Sequence, residues 1–178
     1  MRTVGQALES HDPAIVNTVL SVIQERVGCD DKALAMYLEL SEWTFKLNNK
    51  AHNRFGVCKI GKATIEVHAA LVDHPFDYGM TLIHEVAHAL DYLLHGDTDG
   101  HGGRWVRLMI DLGQKPLRVG GHTEEAHAAV VAMKVQTAKE MWTCSKCGYD
   151  VPIARKRKYP ANRYTHSGGC GGTFTVKE

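Results

Sequence analysis

The sequence predicts an α+β protein in two units, a helical unit with a small β-sheet over residues 1–140 and a smaller β unit over residues 141–178. Three observations carry this. Residues 81–94, TLIHEVAHALDYLL, place apolar side chains at helical period. Residues 57–60 and 64–67 are β-branched runs of strand length on either side of Gly61-Lys62. From Trp142 onward the composition turns to Gly, Cys, Lys and Arg and the apolar content drops.

Taken in order, residues 12–27 form a helix with Asp12 as N-cap and Pro13 at the first helical position. Ile15, Val16, Val19, Leu20, Ile23 and Val27 share one face. A second helix is expected over residues 31–50, carrying Leu34, Leu38, Leu40, Trp43 and Phe45. Residues 55–58 and 63–68 follow as a hairpin, and residues 64–68 are the candidate sheet edge on which an extended peptide would lie as an added strand. After the central helix, residues 104–112 repeat apolar positions at Trp105, Leu108, Met109 and Leu112, a helix expected to pack under the turn before it. Residues 115–122 read as a loop and residues 123–134 as a helix capped by Thr123; periodicity leaves residues 135–142 undecided between helix and strand.

The length of 178 residues suits one ordinary domain with a small appendage, and 44% apolar with 23% charged residues is the composition of a folded soluble protein. There is no apolar run of transmembrane length, and the first residues lack the apolar stretch of a signal peptide. The expectation is a cytoplasmic protein with no membrane partner. Of five cysteines, three fall in the last 35 residues beside a histidine, which argues for metal over disulfides; Cys29 and Cys58 read as small buried apolar residues. Charge is unevenly spread. Residues 1–140 hold fourteen Lys/Arg against eighteen Asp/Glu, a net −4, whereas residues 141–178 hold seven against two, a net +5.

His84, Glu85 and His88 have the H-E-x-x-H spacing of a zinc hydrolase. Four residues apart on a helix, His84 and His88 share a face about one turn from each other and can bind one ion, with Glu85 beside it as general base toward water. A hydrolytic zinc needs a third protein ligand and one open position. His101 supplies it, in a turn freed by Gly96, Gly100, Gly102 and Gly103. His95 lies about 10 Å further along the helix axis than His88, too far to share the ion. Asp91 is a plausible acceptor for the second ring nitrogen of a ligand. His68 reads as a structural histidine.

Cys144-x2-Cys147, an 18-residue gap and His166-x3-Cys170 form a second, four-ligand set, closed and therefore structural. Between its halves, Arg155, Lys156, Arg157, Lys158 and Arg163 stand with Tyr159 and Tyr164, a combination that neutralises phosphates and offers rings for base stacking.

HEVAHAL, GHG a dozen residues later, a preceding hairpin and a following Cys-rich ribbon resemble the SprT-like (Spartan-type) zinc metalloproteases, over residues 43–170. The resemblance implies a zincin-like domain with a C-terminal β zinc ribbon. It implies a catalytic zinc on His84, His88 and His101 with Glu85 as base, and a structural zinc on Cys144, Cys147, His166 and Cys170. It further implies cleavage of protein substrates held on DNA, including DNA–protein crosslinks, by a compact bacterial or phage-type member without the ubiquitin- and clamp-binding tails of Spartan. His166 departs from the cysteine that many family ribbons carry there. The opposing reading is a DNA-binding zinc-ribbon protein whose histidine site is not proteolytic. Tyr92, His68 and His122 remain unranked as donors to the reacting carbonyl oxygen.

Overall fold

The computed structural model of the chain describes residues 2–49, 54–118 and 121–177. Its first element was not expected from the sequence. After the two-residue strand β1 (Arg2–Thr3), the Thr3 hydroxyl accepts the N–H of Gln6 and the Gln6 side chain accepts the N–H of Thr3. This reciprocal cap starts the short helix α1 (Val4–His11). Asp12 then caps α2 (Pro13–Val27) by accepting the N–H of Ala14, and Gly28, at φ 68°, ends it. Val19 and Ile23 of the expected face are buried, joined by Val22; Ile15, Val16, Leu20 and Val27 are partly covered.

The helix expected over residues 31–50 is corrected. α3 (Asp30–Glu42) stops at Trp43, and Thr44–Asn48 is strand β2. Trp43, Phe45 and Leu47 are spaced two apart, the period of a strand, whereas Leu34 and Leu38 are four apart. Lys50 lies outside the described residues. The hairpin is present as β3 (Gly56–Lys59) and β4 (Thr64–His68), joined by a 3-10 turn over Ile60–Lys62 and by Ala63 in the left-handed region at φ 42°.

The sheet order β1-β2-β4-β3 overturns the expectation for the sheet edge. β4 is central, parallel to β2 and antiparallel to β3, and all five of its residues are buried. The free edge beside the long helix is β3. Its geometry follows from the ladder. His68 N–H donates to Phe55 C=O at 2.7 Å, so Phe55 and His68 are a hydrogen-bonded pair. Alternation then turns the N–H and C=O groups of Gly56 and Cys58 away from β4.

α4 (Pro75–His95) packs under this sheet, and Leu82, Ile83, Val86 and Leu90 are the buried stripe that holds it there. Each such side chain contributes about 1.5–3 kcal/mol on leaving water, so the helix is positioned by its core face. α5 (Gly103–Asp111) and α6 (Glu124–Gln136) complete this unit, with Thr123 capping α6 through Ala126 N–H as expected. The undecided residues 135–142 resolve into the end of α6 and strand β5 (Glu140–Cys144). β5 lies between β6 (Asp150–Ile153) and β7 (Phe174–Val176) in a second sheet, over a separate small core of Trp142, Cys144, Ile153, Ala161 and Phe174. Among the described residues no helix is long and apolar enough to cross a membrane.

Candidate metal centre and cleft

α4 presents His84 and His88 on its exposed side one turn apart, and the loop after Gly96 (φ 79°) returns His101 to them. The Nε2 atoms of His84 and His101 are 3.0 Å apart, and those of His88 and His101 are 3.3 Å apart. Nitrogens around a tetrahedral zinc, at Zn–N of about 2.0–2.1 Å, stand roughly 3.3–3.4 Å from each other. The three imidazoles therefore fit one ion. Burial, with the neighbouring imidazoles, pulls His84 down to about 3 and His88 to about 4, so both rings are neutral near pH 7, the form that binds metal. His95 takes no part; its Nδ1 lies 2.9 Å from the Asp91 carbonyl oxygen and 3.2 Å from the Asp91 carboxylate.

Asp91 is fully buried, and its expected role is corrected. Its carboxylate reaches forward instead of contacting a ligand ring. Oδ2 accepts the N–H of Asp99 at 2.9 Å and Oδ1 lies 3.0 Å from Arg104 Nε. Asp99 in turn accepts the N–H of Arg104 at 3.0 Å at the start of α5. The loop carrying His101 is thus tied at both ends. Trp105, completely buried on α5, touches all three candidate ligands, with ring centroids 4.8 Å from His84, 5.5 Å from His88 and 4.6 Å from His101. The sequence placed this indole under the turn without revealing that it is a common wall for three imidazoles.

Glu85 is buried on the same helix, and burial pushes its carboxyl up to about 8 against a hydrogen bond from the Cys58 backbone N–H. Cys58 is partly buried there, its thiol pushed up to about 12 by burial and then by Glu85. Gly56 explains the close fit: a Cβ at that position would lie 2.7 Å from Glu85 Oε1 and 2.7 Å from Thr81 Cγ2. Cys29, expected to be buried, is exposed at the start of α3.

Glu85 and the three histidines line a cleft of about 720 Å³ between β3 and the loop after α5. Of the three groups unranked as carbonyl-oxygen donors, His122 alone lines it. His68 is buried and accepts the N–H of Ala70, and Tyr92 is packed against the main core. His122 stacks on Phe55 at 3.7 Å, and its Nε2 lies 2.9 Å from the Thr81 hydroxyl oxygen. The Thr81 hydroxyl already donates to the Asp77 carbonyl oxygen, so His122 Nε2 carries the proton in that contact. Buried Asp77 also holds the next residue, accepting from both the N–H and the hydroxyl of Thr123 at 2.8 and 2.9 Å.

The second set is equally convergent. Cys144 and Cys170 sulfurs are 3.5 Å apart, Cys170 and Cys147 sulfurs 3.6 Å, and His166 Nδ1 is 3.3 Å from Cys147 and 3.2 Å from Cys170. These separations match a tetrahedral ion with Zn–S of about 2.3 Å. Backbone N–H groups of Cys147 and Lys146 pull the Cys144 thiol down to about 6. Arg155, Lys156, Arg157, Lys158 and Arg163 are exposed, as is Tyr159. Tyr164 is not available as a stacking ring, since it packs on Trp142 with centroids 5.3 Å apart.

These features define a mixed α+β chain with an H-E-x-x-H helix, a third histidine on a tied loop and a separate Cys3His cluster, both clusters consistent with zinc. The sequence profile of the SprT-like family matches residues 28–136, and the chain belongs to that family, with which metallopeptidase-type activity is associated. No curated protein and no solved structure gave a significant match.

Proposed function

We propose that the chain is a zinc-dependent endopeptidase with a zincin-like unit over residues 1–140 and a zinc ribbon over residues 141–178 that docks DNA, so that its substrates are proteins held on DNA, crosslinked ones included. The observation that carries the reading is the convergence of three imidazole nitrogens beside a buried glutamate in a cleft walled by a free strand edge. His84, His88 and His101 would hold the catalytic zinc, and Cys144, Cys147, His166 and Cys170 the structural one. When bound, the catalytic ion supplies a Lewis acid that acidifies water and polarises a carbonyl. The outward N–H and C=O groups of Gly56 and the outward C=O of Cys58 grip an extended peptide by its backbone, while the Cys58 N–H is held by Glu85. Glu85 takes a proton from the attacking water and delivers it to the departing amine nitrogen. His122 is the cleft group assigned to the carbonyl oxygen, to which it would redirect the one ring proton that Nε2 now gives to Thr81. The exposed cations of the ribbon support a phosphate contact, and location with cytoplasmic DNA follows from that reading.

The test is Glu85→Gln in the zinc-loaded protein, assayed on a protein bound to DNA. The variant is expected to retain two zincs per chain and to lose cleavage. Cleavage at the unmodified rate by Glu85→Gln would remove Glu85 as the base, and no cleavage by the zinc-loaded unmodified chain would favour a ribbon that binds DNA without proteolysis.

A further inference from the structure

We infer that the cleft selects peptides in which the scissile bond lies in an apolar segment flanked by acidic side chains. The inference rests on the endopeptidase reading for its chemistry and on the walls of the cleft for its specificity. Three cations line it: Arg54 just before the β3 edge, and Lys115 and Arg118 on the loop after α5. All three are exposed, and among the described residues none of them has an ion-pair partner. This sets them apart from Arg26, Lys59 and Arg104, which pair with Asp111, Glu66 and the Asp91, Asp97 and Asp99 carboxylates.

Arg54, Lys115 and Arg118 line the same cleft as Glu85 and the three histidines. Glu85 is the one carboxylate among the described lining residues, so the three cations outnumber it. Asp99, close to the metal loop, is engaged with backbone N–H groups at the start of α5. The cationic mouth stands out against a unit that is net −4 over residues 1–140. Between the cations the walls are apolar, built from Phe55, Val57, Ile60, Met80, Met109 and Leu117. Phe55, the one Phe, Tyr or Trp among the described lining residues, already has a ring face stacked on His122. Apolar walls between separated cations match an acidic and apolar peptide better than a nucleic-acid strand, which needs regular phosphate contacts and stacking platforms.

The experiment uses the full zinc-loaded chain and three labelled peptides with one apolar core, flanked by Glu, Gln or Lys. Affinity is measured on Glu85→Gln and kcat/KM on the unmodified protein. Exposed ion pairs are individually weak, so Glu flanks are expected to bind roughly three- to tenfold tighter than Gln flanks, with Lys flanks weakest. The preference should shrink as salt shortens the screening length, and Arg54→Ala with Arg118→Ala should bring the Glu/Gln ratio toward one. Equal binding of the three peptides overturns the inference even if all are cleaved. Acidic preference in binding without cleavage of any peptide supports it and instead sinks the endopeptidase reading. Displacement of the Glu peptide by a short oligonucleotide, lost together with peptide preference in Arg118→Ala, would assign the cations to phosphates and overturn it.

Discussion

The carboxylate of Asp91, buried about two turns after His84, accepts the backbone N–H of Asp99 at 2.9 Å, two residues before His101. One side chain of the helix that carries two candidate ligands thereby sets the position of the loop that carries the third. Removing a group that orients a metal ligand typically costs 10–100-fold in affinity. Asp91→Ala is therefore expected to weaken the histidine site by roughly that factor while the Cys3His site keeps its ion. Zinc per chain after dialysis against a weak chelator should fall from two to one, and a variant that still holds two would show that the loop is positioned by other contacts.

Gly56→Ala tests the fit between the strand edge and the base. The added methyl would meet Glu85 Oε1 and Thr81 Cγ2 at 2.7 Å, so Glu85 must shift. Displacement of a catalytic group by about 1 Å can cost roughly 10²-fold, and a loss of that order in kcat with zinc content unchanged is expected. Unaltered turnover would mean that the neighbours yield at no cost to catalysis.

His122→Ala should lower kcat by roughly 10²-fold with little change in KM, as removal of a donor to a developing oxyanion does. His122→Gln, which keeps a donor, should recover part of the loss. Because Thr81 holds the ring in place through a contact from Nε2, Thr81→Val is expected to give a smaller defect in the same direction. A change confined to KM would place His122 in substrate binding instead.

Glu66 gives the sheet a pH response. Burial raises its carboxyl, but hydrogen bonds from Lys59 and Asn48 and the charges of Lys59 and Lys46 outweigh burial and leave it below its ordinary 4.5. A carboxyl depressed in the folded state stabilises fully above its unfolded pKa, and the contribution is lost as pH falls through the folded value. Glu66→Gln should lower Tm at pH 7, and the gap to the unmodified chain should close as pH drops below 4.5. A constant gap across that window in thermal melts would assign the effect to packing.

How far the sequence disclosed this arrangement depends on the range of the forces involved. α4 and its histidine face were legible because a 3.6-residue period and a four-residue ligand spacing are local. The convergence of His101 was legible because glycines mark where the chain turns. The place of residues 64–68 at the centre of the sheet was not, since β4 gains its second neighbour through the parallel pairing with β2, whose residues read in the sequence as a continuation of the preceding helix. The partners of Asp91 are hidden for a similar reason: they lie eight and thirteen residues ahead, across a loop whose path no periodicity describes. Helix α1 escaped because its eight residues begin with a cap that is recognisable only once Gln6 is seen to answer Thr3.

The indole of Trp105 has a practical consequence. Of the chain's three tryptophans, Trp43 lies at the end of α3 and Trp142 in the ribbon core, so only Trp105 borders the histidine cluster. Its emission is an unlabelled optical gauge for that one cluster: titrating an ion into the chelated protein and following fluorescence in a Trp43→Phe, Trp142→Phe background would time occupancy of the cleft without waiting for the ribbon.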